Sequence, residues 1–106
     1  MARIRITPKA HEDLVGIYRY ISVELENRDA AKNVTDAIKA DIKKLSKFPN
    51  RGEPLSNIIP FPTSYRFIIS GSYNVYYKVN GNDVEVSRIL NQLQSVWINL
   101  LGLPNQ

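Results

Sequence analysis

Four prolines, Pro49, Pro54, Pro60 and Pro62, fall between residues 49 and 63, with Gly52 among them. No helix interior and no central strand can run through such a stretch, because proline lacks the N–H that either ladder needs. The stretch therefore separates the pattern before it from the pattern after it. It reads as one loop of about fifteen residues, a length that in a compact domain is often functional.

The first half is helical apart from its start. Arg3 to Thr7 alternates basic and apolar residues and reads as a half-buried strand. Thr7-Pro8 then supplies an N-cap and a first helical residue. Ala10, Leu14, Ile17, Ile21 and Leu25 form one stripe on a helix expected from Pro8 to Glu26. Asn27-Arg28-Asp29 interrupts it and offers a new N-cap. Val34, Ile38, Ile42, Leu45 and Phe48 mark a second helix from Ala30 to Phe48, stopped by Pro49. The short break predicts an antiparallel helical hairpin.

The second half reads as strands. Tyr65–Ile69, Tyr73–Val79 and Val84–Leu90 are separated by Ser70-Gly71-Ser72 and by Asn80-Gly81-Asn82-Asp83, the latter a hairpin signal. Ser95 caps a short helix, Val96 to Leu101, ended by Gly102 and Pro104. The expected fold is α+β in one domain over 1–106: an N-terminal strand, a two-helix hairpin packed on a mainly antiparallel sheet of about four strands, and a short C-terminal helix. Tyr73, Val75, Tyr77 and Val79 should meet the helices, as should Tyr65, Phe67 and Ile69. Arg66, Tyr76 and Lys78 would then share an open face, a cation and aromatic cluster suited to nucleic acid.

Composition narrows the chemistry. There are no cysteines and one histidine, His11, so disulfide scaffolds, cysteine nucleophiles and His-pair metal sites are excluded. No metal and no cofactor is expected. No apolar run approaches the ~20 residues of a membrane span, and Met1 to Arg5 holds no apolar signal core, so a cytoplasmic protein with no membrane partner is expected. Fourteen basic against ten acidic residues give +4, with eleven and eight of them in residues 1–60. That balance suits a polyanion partner as well as a plain solvated surface.

The order of elements and their local strings resemble the RelE/ParE superfamily of bacterial type II toxins. The resemblance runs through Thr7-Pro8-Lys9-Ala10, Asp13-Leu14, Ile17-Tyr18-Arg19-Tyr20-Ile21, Phe48-Pro49 and Gly52-Glu53-Pro54-Leu55. It continues through Tyr65-Arg66, Gly71-Ser72-Tyr73, Tyr76-Tyr77-Lys78-Val79, Val86-Ser87-Arg88-Ile89-Leu90 and the tail Trp97-Ile98-Asn99-Leu100-Leu101. It implies a cognate antitoxin partner. One branch cleaves mRNA on the ribosome without metal; another poisons DNA gyrase. The resemblance leaves oligomeric state open.

RNA cleavage of that kind needs a base for the 2′-hydroxyl and a cation for the phosphate. Arg66 and Arg88 match the family's two strand arginines, and arginine's planar fork suits phosphate. Strand parity sends Arg88 toward the core; a bulge could re-aim it, or a carboxylate could pair with it. Glu53 resembles a proposed general base, or is a plain loop carboxylate. Substrate contacts would come from Arg51, Tyr76, Lys78 and Asn91, with Lys43, Lys44 and Lys47 on ribosomal RNA, each also readable as core or solvated surface. The chain departs from the family after Leu90, where many members carry His or Tyr, then Gly and a basic residue. Here the run is Asn91-Gln92-Leu93-Gln94. Three readings follow: a ribosome-dependent mRNA endoribonuclease, a gyrase inhibitor without nuclease activity, or a degenerate toxin that mainly binds its antitoxin.

Overall fold

A computed structural model describes residues 1–60 and 62–103; Pro104, expected to end the terminal helix, lies outside them. The chain runs β1 (Arg3–Ile6), α1 (Pro8–Arg19), a π-helical turn (Tyr20–Glu24), α2 (Arg28–Lys44), β2 (Glu53–Pro54), a 3₁₀ turn (Leu55–Asn57), β3 (Arg66–Ser70), β4 (Tyr73–Asn80), β5 (Asp83–Asn91) and α3 (Val96–Asn99). This is the expected α+β architecture, with one more strand than foreseen. The five-stranded sheet has the order β1-β5-β4-β3-β2. All neighbours are antiparallel except β1 and β5, which pair in parallel. The extra strand, Glu53–Pro54, lies inside the proline-rich loop, where it can sit because it is an edge.

Local chemistry explains the helix boundaries. Thr7 Oγ1 accepts from the Ala10 N–H at 3.1 Å and donates to the Ser87 carbonyl, so the cap of α1 is also tied to β5. The first helical stripe ends in a π turn rather than continuing as α-helix to Glu26. Asn27 Oδ1 accepts from the Ala30 N–H and starts α2. In the β4–β5 hairpin Gly81 takes φ +58°, the left-handed conformation that favours glycine.

Two apolar layers cover the sheet, one on each face. Ala10, Leu14, Ile17 and Ile21 from α1 and its extension, with Ala31, Ile38 and Ile42 from α2, pack on Ile68, Val75, Tyr77, Val84, Val86 and Ile89. On the opposite face Val96, Trp97, Leu100 and Leu101 pack against Leu55, Ile59, Phe67, Tyr76 and Leu90. That second layer corrects the expectation of an open face. It also corrects the parity of β3: Ile68, not Phe67, meets the helical hairpin, because Phe67 pairs with Tyr76 and Arg66 with Tyr77.

Candidate functional site

The loop after α2 is held by one tyrosine. Tyr77 is fully buried, and its hydroxyl accepts from the Gly52 N–H at 2.9 Å and donates to the Pro49 carbonyl at 2.8 Å. Arg66, opposite Tyr77 in the sheet, places Nη1 2.7 Å from the Gly52 carbonyl and 3.3 Å from that of Asn50. Arg66 is therefore half-buried on the helix side of the sheet and fastens the loop, instead of standing outward beside Tyr76 and Lys78. Burial pushes the Tyr77 phenol above its ordinary value, against smaller downward effects of the Gly52 bond and of Arg66 and Arg51.

This gives an alkaline signature. Above an unfolded phenol value of about 10, the unfolded chain loses the proton first, so it binds fewer protons than the native state. Stability is therefore full below pH ~10 and falls as pH rises through the raised folded value, by up to about 1.4 kcal/mol per pH unit for each such group. Tyr73 shifts the same way, chiefly by burial. Urea unfolding at pH 9 to 12 should show this slope, and Tyr77→Phe should make it shallower.

Arg88 is set by a second arrangement. Along β5 the partner of Tyr77 is Val86 and that of Tyr76 is Arg88, so Ser87 is an extra residue, a bulge. The bulge reverses the parity read from Val84 and Val86 and lets Arg88 reach residues of both α1 and α3. Its Nε and Nη2 lie 2.8 and 3.0 Å from the two Asp13 oxygens, and Nη1 lies 2.6 Å from the Asn99 carbonyl. Asp13 Oδ2 also accepts from the Ile89 N–H at 2.9 Å. Both side chains are only 14% exposed. The hydrogen bond to Asp13 raises the Arg88 pKa further. Of the alternatives open for Arg88, bulge and carboxylate partner are both present. Asp13 was not among the candidate site residues; its signal was a carboxylate beside the buried stripe Ala10-Leu14-Ile17.

The remaining candidates are not gathered into one site. Tyr76 is buried, stacks obliquely on Phe67 at 5.9 Å and accepts from Asn74 Nδ2, which removes it from base stacking. Lys78 lies 4.4 Å from the centre of the Tyr65 ring. Asn91 is spent on a turn: its Oδ1 accepts from Leu93 N–H and its N–H donates to Gln94 Oε1. Glu53 and Arg51 are exposed on the loop. Lys43, Lys44 and Lys47 are exposed at the end of α2, Lys44 paired with Asp41 at 3.4 Å. Among the described residues no group of three or more His, Cys, Asp or Glu could hold a metal, and no helix is long and apolar enough to cross a membrane.

Two grooves flank α1. One, of about 470 Å³, runs between α1 and α2 and is lined by Leu14, Val15, Tyr18 and Val23 with Arg19 and Lys39 at its rim. The other, of about 520 Å³, lies between α1 and the β4–β5 end, with Glu12, Tyr20, Tyr73 and Asn91. Against known proteins, residues 4–96 match the family model described as ParE toxin of the type II toxin–antitoxin system parDE. The chain belongs to the ParE toxin family. A solved structure described as the chromosomal ParDE TA system from P. aeruginosa shares this ParE fold, with a TM-score of 0.71. It is 24% identical, over 86% of this chain and 96% of that one. No curated protein matches at a significant level. The ParE match spans α1, α2 and every strand, so it includes Arg66, Arg88 and the loop that Tyr77 holds.

Proposed function

We propose that this chain is a toxin that inhibits DNA gyrase by binding it, and that a cognate antitoxin neutralises it. The observation that carries this reading is the engagement of both strand arginines. Arg88 gives three nitrogens to Asp13 and Asn99, and Arg66 gives one to two loop carbonyls. An RNA-cleaving site would present both to phosphate, beside an accessible base. The buried Tyr76 and the turn-bound Asn91 support the same reading, as does the family match to ParE.

Purified, antitoxin-free chain is expected to block supercoiling by purified gyrase at micromolar concentration. It should leave a defined mRNA intact in a cell-free translation mixture, as mapped by primer extension. Discrete ribosome-dependent cuts in the A site, lost in Arg66→Ala, would instead establish the endoribonuclease reading. Unimpaired supercoiling and intact mRNA together, from a folded chain, would leave the degenerate toxin.

The antitoxin reading is supported by a candidate surface. The groove between α1 and α2 offers an apolar surface to an amphipathic segment, and the cations at its rim suit an acidic partner. Tyr18 is 42% exposed there and Val23 63%. Tyr18→Glu is expected to weaken antitoxin binding at least 10-fold in calorimetry while leaving the melting temperature within about 3 °C, since surface substitutions cost little.

A further inference from the structure

The net charge of the chain is +4, and residues 39–51 carry all of it. Lys39, Lys43, Lys44, Lys47 and Arg51 stand there against Asp41 alone, while the other residues hold nine basic and nine acidic groups. Compensation is equally uneven. Lys32 is paired with Asp36, Lys44 with Asp41, Arg3 with Asp83, Arg5 with Glu85, Lys9 with Glu12 and Arg88 with Asp13. Lys39, Lys43, Lys47 and Arg51 take part in none of these ion pairs and all four are exposed, although Lys39 also acts at longer range on Asp36, whose close partner is Lys32. Their spacing is four residues at each step. On α2 that is one ridge, with cations about 6 Å apart. Beyond Lys44 the ridge follows the turns that place Phe48 N–H on the Lys44 carbonyl and Arg51 N–H on that of Phe48. Tyr77 and Arg66 hold the loop at its end.

We infer that this ridge binds the phosphate backbone of double-stranded DNA. A row of exposed cations in excess over the neighbouring carboxylates is what backbone attraction requires, and it carries no sequence readout. Single strands would call for exposed rings between the cations. Among residues 39–51 only Phe48 supplies a ring, exposed and 5.7 Å under the Lys47 ammonium, and a single ring does not make a stacking row. The inference rests on the gyrase reading for its setting: a toxin seated on an enzyme that holds duplex DNA would meet that DNA with this ridge. Such a contact adds affinity for gyrase engaged on DNA over free gyrase.

Fluorescence anisotropy of a mixed-sequence 20-bp duplex, titrated with the free full-length chain, tests it. Binding is expected with Kd on the order of 10⁻⁵ M near 50 mM salt, and with log K falling against log salt at a slope of about −3.6, for four phosphates. Lys39→Gln/Lys43→Gln should reduce the slope by about 1.8. Arg3→Gln/Arg5→Gln removes the same charge from residues already paired with Asp83 and Glu85 and should leave it unchanged. No binding, equal effects of the two double variants, or tighter binding of a single-stranded RNA of the same length would each overturn the inference. A supercoiling assay on the same preparations keeps the two claims apart. Gyrase inhibition by a chain that binds no duplex sinks the ridge alone; duplex binding with gyrase untouched supports the ridge and sinks the gyrase reading.

Discussion

Asp13→Ala is expected to lower the stability of the native state by about 3–5 kcal/mol, the range for removing one partner of a buried pair. The substitution leaves the Arg88 guanidinium enclosed with only the Asn99 carbonyl as acceptor, and it orphans the Ile89 N–H as well. For a chain of 106 residues this corresponds to a fall in melting temperature of roughly 15–25 °C. Arg88→Ala should cost a comparable amount, because a carboxylate is then stranded between α1 and β5, and the double variant should cost less than the sum of the two. The pair decides how a loss of toxicity is read. If Arg88 served phosphate chemistry, Arg88→Ala would abolish activity with the melting temperature intact. If it serves as a fastener of α1, β5 and α3, activity and melting temperature fall together, and Asp13→Ala reproduces both. A melting temperature within about 3 °C of wild type in either single variant would refute the structural role.

The parts legible in the sequence were those that depend on one periodicity at a time. Both helices bury a single stripe, so Ala10-Leu14-Ile17-Ile21 and Ile38-Ile42-Leu45 located their inner faces, while the expected last members Leu25 and Phe48 lie beyond the helices and are exposed. The Asn80-Gly81 turn and the Thr7 and Ser95 caps were legible because their chemistry is local. The alternation of β4 placed Tyr73, Val75, Tyr77 and Val79 toward the helices, but β3 was less legible, because α3 and the turn at Leu55 cover the second face of the sheet. Phe67 and Ile68 are then both buried, as are Tyr76 and Tyr77, and adjacent apolar residues carry no alternation from which to read a face. The site suffered most from this. The expected cluster of Arg66, Tyr76 and Lys78 assumed a parity that the Arg66–Tyr77 pairing reverses. For Arg88 the parity of Val84 and Val86 pointed to the core, and a bulge or a carboxylate partner stayed open as alternatives; nothing in Val84-Glu85-Val86-Ser87 announces that Ser87 is the bulged residue. Its partner Asp13 lies seventy-five positions away, and pairing across that separation is set by packing rather than by spacing.

Gly52→Ala is expected to be the other severe substitution, at about 3–4 kcal/mol, as overpacking plus lost hydrogen bonds. A Cβ at residue 52 would lie 2.5 Å from the Tyr77 hydroxyl oxygen, 2.8 Å from Tyr77 Cε1 and 2.8 Å from the Phe67 carbonyl oxygen. None of these can yield cheaply. The Tyr77 ring is rigid and fully buried, and the Phe67 carbonyl belongs to the sheet backbone. Movement of the loop instead would break both bonds of the Tyr77 hydroxyl and loosen the Arg66 contacts with the Asn50 and Gly52 carbonyls. The same substitution at Gly16, on the exposed side of α1 with nothing within 4 Å, should stabilise by about 0.5–1 kcal/mol, because alanine restricts the unfolded chain and favours helix. The two variants thus differ in sign for one chemical change, which urea denaturation resolves easily. Tyr77→Phe locates the cause. It removes the atom nearest the new methyl group, so Gly52→Ala should cost about 1–2 kcal/mol less in that background than in the wild type. Strict additivity would mean that the sheet backbone and the ring of residue 77, not the hydroxyl, exclude a side chain at residue 52.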